Sequence, residues 1–386
     1  MPHQPSPLLA ARADGNRRTI ETPHVPARSH TFRTPAPFDA PSTMSDAQQA
    51  QASREFRAAV LRSGRVELAK LPRPAARAGT HLVRVTHALI TPFEREVVRG
   101  LRATSDDAPR EEQILGCAFV GVIEDASRSG DERLARGARV AVQPVFACGL
   151  CDRCDSGLSL HCQARMIAGL DAPAGGLAEF AVIPAANCVE LPAALDDERA
   201  VFAVPLARAI EAVRRGGIEG RSFASVLGDD LFAILAALVG REENPLTRLV
   251  SSHPATLELA SQFGLRNRAL SETGRRGDQE LVIDMTGSTE SAAAAARMVR
   301  PRGHVVFGGI STQAPAGVDL SHLALDEIEI YGSGFGAIDG AIELLTQRAI
   351  DPAPLITRRV ALADAPAAIA AMSDATSFSV LVQVTR

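Results

Sequence analysis

The sequence predicts an α/β protein of two domains, one barrel-like and rich in β-strand, the other a doubly wound parallel sheet. Three observations carry that expectation. At 386 residues the chain exceeds what one ordinary core supports. From about residue 56 to 195 short β runs are broken by turn residues, as in FRAAVL, HLVRVTHALI, FVGVIEDA, ARVAVQPVF and AEFAVI. After the amphipathic helix of VPLARAIEAVRRG, apolar strands alternate with helices, the pattern of βαβ units.

The bulk properties narrow the function classes. With 46% hydrophobic and 22% charged residues and a net charge of −4, the chain reads as a soluble globular protein. No basic patch points to nucleic acid. No apolar run approaches the roughly 20 residues that span a bilayer. The start lacks a signal-peptide pattern, so a cytoplasmic location is expected. Clustered cysteines in a reducing compartment read as metal ligands rather than disulfides. Lys70 is the one lysine, which argues against Schiff-base chemistry.

Residues 1–43, rich in Pro, Arg, Ser, Thr and His, show neither helical nor strand periodicity. They read as a disordered tail, as sequence upstream of a true start at Met44, or as an Arg-rich transit segment, the last interrupted by Asp14, Glu21 and Asp39. Beyond the first helix follow SFASVLGDD and LFAILAALVG, LTRLVSS and PATLELASQFG, ELVIDMTG and ESAAAAARMVR, then GHVVFGG and EIEIYGSG. A last strand, SVLVQV, can return to the first domain.

In this order of parts the chain resembles the medium-chain dehydrogenase/reductase superfamily, the zinc-type alcohol dehydrogenase-like proteins, over about residues 56–386. LGCAFVGVIE, the cysteine cluster CGLCDRCDSGLSLHC, GGLAEFAVIP, VPLARAIEAV, the glycine of SVLGDD, DMTGS and PRGHVVFGG follow one another in the family's order. The resemblance implies a GroES-like catalytic domain (44–203, with a zinc lobe at 148–162), a Rossmann nucleotide-binding domain (204–335) and a return to the first domain (336–386). It also implies a homodimer or homotetramer.

Cys148, Cys151, Cys154 and Cys162 match the four ligands of the family's structural zinc lobe in number and spacing. Four thiolates on one loop close a tetrahedral shell around Zn²⁺ with no open position, so one structural zinc per chain is expected. His161, beside a ligand, reads as a solvent-facing neighbour, and Cys188 as a buried thiol.

At the family's catalytic zinc the sequence departs. Thr91 stands at the first ligand position, Gly116-Cys117-Ala118 replaces Gly-His-Glu, and Val204 takes the third position. A zinc site of this kind wants three protein ligands and a water, so the catalytic metal is expected to be absent. The alternative is a weak O/S site built from Thr91, Glu94 and Cys117, the three candidate catalytic residues.

The phosphate loop also departs. Gly228 and Ala233 keep the first and third places of G-x-G-x-x-G, but Asp230 replaces the middle glycine. A carboxylate there takes space and repels pyrophosphate. Where an acid would read the NAD ribose, the chain has Ser251-Ser252-His253. Ser252 and His253 read as a mild preference for NADP or simply as a strand end. Gly287, Gly308 and Gly309 stand where the family's backbone lines the nicotinamide, or serve as turn glycines. The expected function is an NAD(P)-dependent oxidoreductase that keeps structural zinc and acts on a small alcohol or carbonyl, or an activated alkene or quinone. The competing expectation is a non-catalytic relative serving as a binding or scaffold subunit.

Overall fold

A computed structural model describes residues 55–101, 112–126, 134–273, 277–312, 320–372 and 378–385. The tail at 1–43 and the Met44 start fall outside them.

The first half of the chain is built on Thr80–Ile90, whose alternation of Val, Leu and Ile buries both faces. This strand pairs antiparallel with Ala118–Asp125, with Phe180–Pro184 and with Ser379–Gln383. Arg139–Val142 and Cys188–Glu190 extend the sheet on one side, and Ile356–Ala361 extends it on the other. A hairpin of Glu55–Arg62 and Arg65–Pro72, joined by Glu112–Ile114, forms a separate small sheet. Its turn is Ser63-Gly64, with φ of 47° and 77°. Two positive φ values give the hairpin turn whose twist matches its strands.

The second sheet is parallel throughout. Its strands run Arg266–Ala269, Arg248–Ser251, Ala224–Leu227, Gln279–Asp284, Val299–Phe307 and Glu329–Gly332 across the sheet. Numbered by chain order this is 3-2-1-4-5-6, so the direction of winding reverses between Ala224–Leu227 and Gln279–Asp284. Ligands of such sheets bind at the carboxyl ends of the strands at that switch point. The sheet is that of a Rossmann-type domain.

Two helices position the switch point. Leu231–Glu243 is buried from Leu231 through Gly240, as its nearly continuous apolar sequence requires. Ala203–Gly216 packs beside it and ends at Gly217 in the left-handed region, φ 59°. The two sheets share one hydrophobic core that includes Phe119, Phe202, Leu206, Leu235 and Ile283.

Gly121 sits opposite Val85 in the pairing of Thr80–Ile90 with Ala118–Asp125. A Cβ there would lie 2.4 Å from the Arg84 carbonyl oxygen and 2.7 Å from Val83 Cγ1. Gly121→Ala therefore forces the strands apart and is expected to cost about 1–3 kcal/mol. Urea denaturation reads this as a lower midpoint, and an unchanged midpoint would refute the close approach.

Candidate functional site

The site begins at the helix Pro92–Val98. Thr91 is its N-cap and Pro92 its first residue, a preorganised start. Thr91 Oγ1 accepts from Phe93 N, and Glu94 Oε2 accepts from both Thr91 N and Thr91 Oγ1, each at 2.8 Å. This is a capping box. Glu94 is 1% exposed, and its second oxygen accepts from Cys117 N at 3.0 Å. Burial raises the Glu94 carboxyl against these three donors. Burial, with Glu94 adding to it, pushes the Cys117 thiol well up.

Thr91, Glu94 and Cys117 are thus brought together in one unit, with the Thr91 hydroxyl committed to a neighbouring carboxylate. Val204 lies buried near the start of the helix Ala203–Gly216. One turn further on stands Arg208, 3% exposed. Its Nη2 donates to the Gly308 carbonyl at 3.1 Å, and its guanidinium stacks over the Phe232 ring at 4.1 Å.

The loop entering Leu231–Glu243 is held by its own acids. Gly228 has a φ of 157°, and a Cβ there would meet Ala233 Cβ at 2.5 Å, so the close packing of strand, loop and helix needs glycine. Asp230 caps the helix: its Oδ1 accepts from Phe232 N at 2.9 Å and Ala233 N at 3.4 Å. Burial pushes its carboxyl up to about 6, opposed by those two amides and by Arg208. The amides a pyrophosphate would use at this helix N-terminus are therefore engaged by Asp230.

Asp229 turns the other way. Its carboxylate accepts from Ser251 Oγ at 2.6 Å, Ser252 N at 2.8 Å and Ser252 Oγ at 2.8 Å, with His253 Nδ1 at 3.3 Å. Burial works to raise it, but the Ser251 and Ser252 donors win and hold it below the usual carboxylate range. Ser252 and His253 thus bind an acid of this chain. Gly287 and Gly309 press together, since a Cβ on Gly309 would lie within 2.4 Å of the Thr286 carbonyl carbon. Gly308 offers its carbonyl to Arg208.

Between these parts lies a cleft of about 80 Å³, lined by Pro92, Phe93, Arg95, Arg208, Asp230 and Thr286 among others. Its far rim is tied to Glu96, whose Oε2 accepts from Thr312 N at 3.0 Å and Oγ1 at 2.9 Å. Arg95 and Arg99 both donate to Glu96 Oε1. Against the cost of burying Glu96, those Thr312 and Arg95 donors hold its carboxyl down.

Away from the cleft, the sulfurs of Cys148, Cys151, Cys154 and Cys162 lie within 4.8 Å of one another. The closest pairs are 3.4, 3.6 and 3.8 Å apart. A tetrahedron of thiolates about 2.3 Å from zinc has edges of roughly 3.8 Å, so the set fits that ion. Backbone amides at Gln163 and Cys154 bring the Cys151 thiol down to about 6, favouring a thiolate. His161 is exposed and outside the set. Among the described residues no other group of three or more His, Cys, Asp or Glu side chains converges.

A barrel-like sheet bearing a four-cysteine lobe, joined to a parallel sheet wound in dinucleotide order, defines a two-domain dehydrogenase fold. Residues 77–193 match the alcohol dehydrogenase GroES-like domain. The chain is 27% identical over 273 residues to 2-dehydro-3-deoxy-L-galactonate 5-dehydrogenase of Pseudoalteromonas atlantica, covering 67% of this chain and 79% of that one. The alcohol dehydrogenase TADH of Thermus sp. ATN1 superposes with a TM-score of 0.76 at 24% identity, over 85% of this chain and 100% of that one. An alcohol dehydrogenase of Escherichia coli CFT073, complexed with NADH, gives 0.76 at 24% over 86% and 99%. Residues 77–193 are thus those of an alcohol dehydrogenase GroES-like domain, and the fold of the chain is that of the two-domain dehydrogenases it resembles.

Sequence reasoning missed Arg208 and the use of Asp229 as an internal anion. For Arg208 a signal existed: it lies between Val204 and Ala212 on one stripe of a helix, and both neighbours are buried.

Elemental analysis of the purified protein is expected to give about one zinc per chain. Cys151→Ser is expected to lose that metal and lower the melting temperature, because metal-binding energy is folding energy in a closed shell. Unchanged metal content and melting in this variant would show that Cys151 is not a ligand.

Proposed function

We propose that the protein is an NAD(P)-dependent oxidoreductase that holds a structural zinc at its four cysteines and works without a catalytic one. The observation that carries this reading is the 3-2-1-4-5-6 sheet, whose switch point opens on the cleft beside Arg208 and Asp230. The relatives' names, dehydrogenases of sugar acids and alcohols, support hydride chemistry on a small molecule.

The first ligand position carries a Thr whose hydroxyl proton goes to Glu94, and the third carries an apolar Val. Neither suits a Lewis-acid metal. Thr91 also has no spare proton for a developing oxyanion, so substrates whose charge is spread by conjugation, activated alkenes or quinones, demand least of this site. When bound, the nicotinamide supplies or accepts the hydride. The chain's own contribution is to shape the cleft through the Thr91–Glu94–Cys117 unit and to close its rim through Glu96 and Thr312.

The phosphate loop as it stands does not accept a pyrophosphate well, because Asp230 already satisfies the helix amides. That observation favours a second reading, a non-catalytic binding or scaffold subunit. Calorimetric titration with NADH and NADPH at one salt concentration separates the two. Weak binding by the native chain supports the oxidoreductase, and no binding by either the native chain or the glycine variant supports the second reading.

Asp230→Gly is expected to strengthen cofactor binding at least tenfold, about 1.4 kcal/mol, by freeing two amides and removing a charge. Glycine is a tolerated N-cap, so the helix loses only a few tenths of a kcal/mol. Weaker binding in the variant would mean that the loop has been misread.

The same carboxyl sets a pH dependence. Its folded pKa is about 6, so lowering the pH from 8 to 5.5 neutralises it and strengthens NADH binding. Asp230→Asn should lose this dependence, and a flat profile in the native chain would refute it.

A further inference from the structure

Arg208 is a buried cation with no carboxylate in direct contact among the described residues. It is 3% exposed and forms no ion pair among the described residues. Among the described residues its Nε has no hydrogen-bond partner, and its one direct bond is Nη2 to the neutral Gly308 carbonyl. The Phe232 ring at 4.1 Å offsets part of the lost hydration but satisfies no N–H in the plane of the fork. The nearby acids do not neutralise it by contact. Glu94 is spent on Thr91 and Cys117, and Asp230 on the amides of Phe232 and Ala233. An uncompensated buried charge is costly, and a guanidinium tolerates burial best when a planar anion meets its fork.

The cleft that Arg208 lines supplies the rest of an anion site. Arg95 and Arg99 line it too, against the carboxylates of Glu96 and Asp230. Arg95 and Arg99 are both paired with Glu96, so Arg208 is the lining guanidinium left without a carboxylate in contact. Ser288, also on the wall, accepts from Ser291 N at 3.1 Å and lies only 3.4 Å from Thr286 Oγ1, a long contact that a ligand oxygen can replace. A volume of about 80 Å³ admits a molecule of few heavy atoms.

We propose that this cleft binds a small monocarboxylate, with its carboxylate on the Arg208 guanidinium and a hydroxyl or carbonyl oxygen toward Ser288. The single guanidinium without a carboxylate in contact is matched by a monoanion. A phosphate dianion would overshoot it and meet the repulsion of Asp230 and Glu96. The site stands on Arg208 and the cleft alone, and holds whether or not a nucleotide binds beside it.

The test is calorimetric titration of the full chain, zinc-loaded and without nucleotide, with lactate, with propane-1,2-diol as its neutral counterpart, and with inorganic phosphate. Lactate is expected to bind saturably, the diol not to bind, and phosphate to bind more weakly than lactate. Arg208→Met is expected to weaken lactate at least tenfold. Arg208→Lys, which keeps the charge but loses the fork, should fall between the two. Absence of lactate binding, equal affinity for the diol, tighter phosphate, or full affinity in Arg208→Met would each overturn the proposal. Should both variants fail to fold, the native chain decides: lactate binding without diol binding supports the site, and any other pattern overturns it. No turnover is read, so a failure of the oxidoreductase reading leaves this result standing.

Discussion

One buried carboxylate ties the parts of the cleft together. Glu94 accepts from the amide and hydroxyl of Thr91 and from the amide of Cys117, so it joins the cap of one helix to the entry of a sheet strand. Removing it would leave three buried donors without an acceptor, a large penalty in a site closed to water. The next residues of that helix, Arg95 and Glu96, reach the cleft and the Thr312 loop only because this end is fixed. The wall of the site is therefore a consequence of a helix start.

A shared logic runs through the cleft: side chains of the chain stand where a bound anion would otherwise be expected. Asp230 takes the helix amides and Asp229 takes the serine pair at the end of the neighbouring strand. Both acids lie side by side in sequence, and the backbone turn at Gly228 sends them to opposite partners. The positive charge of Arg208 then faces a wall already rich in carboxylate, and its own fork remains open. Local satisfaction at two acids and its lack at one cation describe the electrostatics of the cleft.

Much of the architecture was legible because it rests on periodicity. The change from short β runs to strand–helix alternation after VPLARAIEAVRRG marks where the parallel sheet begins, and cysteine spacing alone brings four thiols into one loop. Charges were harder. The loss of glycine at Asp230 was visible, but not that its carboxylate would serve as the helix cap, since either rotamer leaves the sequence unchanged. Ser251 and Ser252 read as a strand end because their partner lies 22 and 23 residues away, across a turn whose shape no local pattern records. Arg208 was the clearest oversight, an Arg within the buried stripe of an amphipathic helix.

The last strand has a temporal meaning. Ser379–Gln383 pairs with Thr80–Ile90 in the middle of the first large sheet, some three hundred residues upstream. The six-stranded sheet, by contrast, is drawn from the continuous stretch Ala224–Gly332. During synthesis that stretch can collapse as soon as it emerges, while the older sheet keeps His87–Ile90 of its central strand open on one side until Ser379–Gln383 arrives. An open strand edge ending in Ala88, Leu89 and Ile90 invites pairing with another chain. The protein thus has a vulnerable interval late in its own production, and the handful of residues that close it do so by geometry rather than by chemistry.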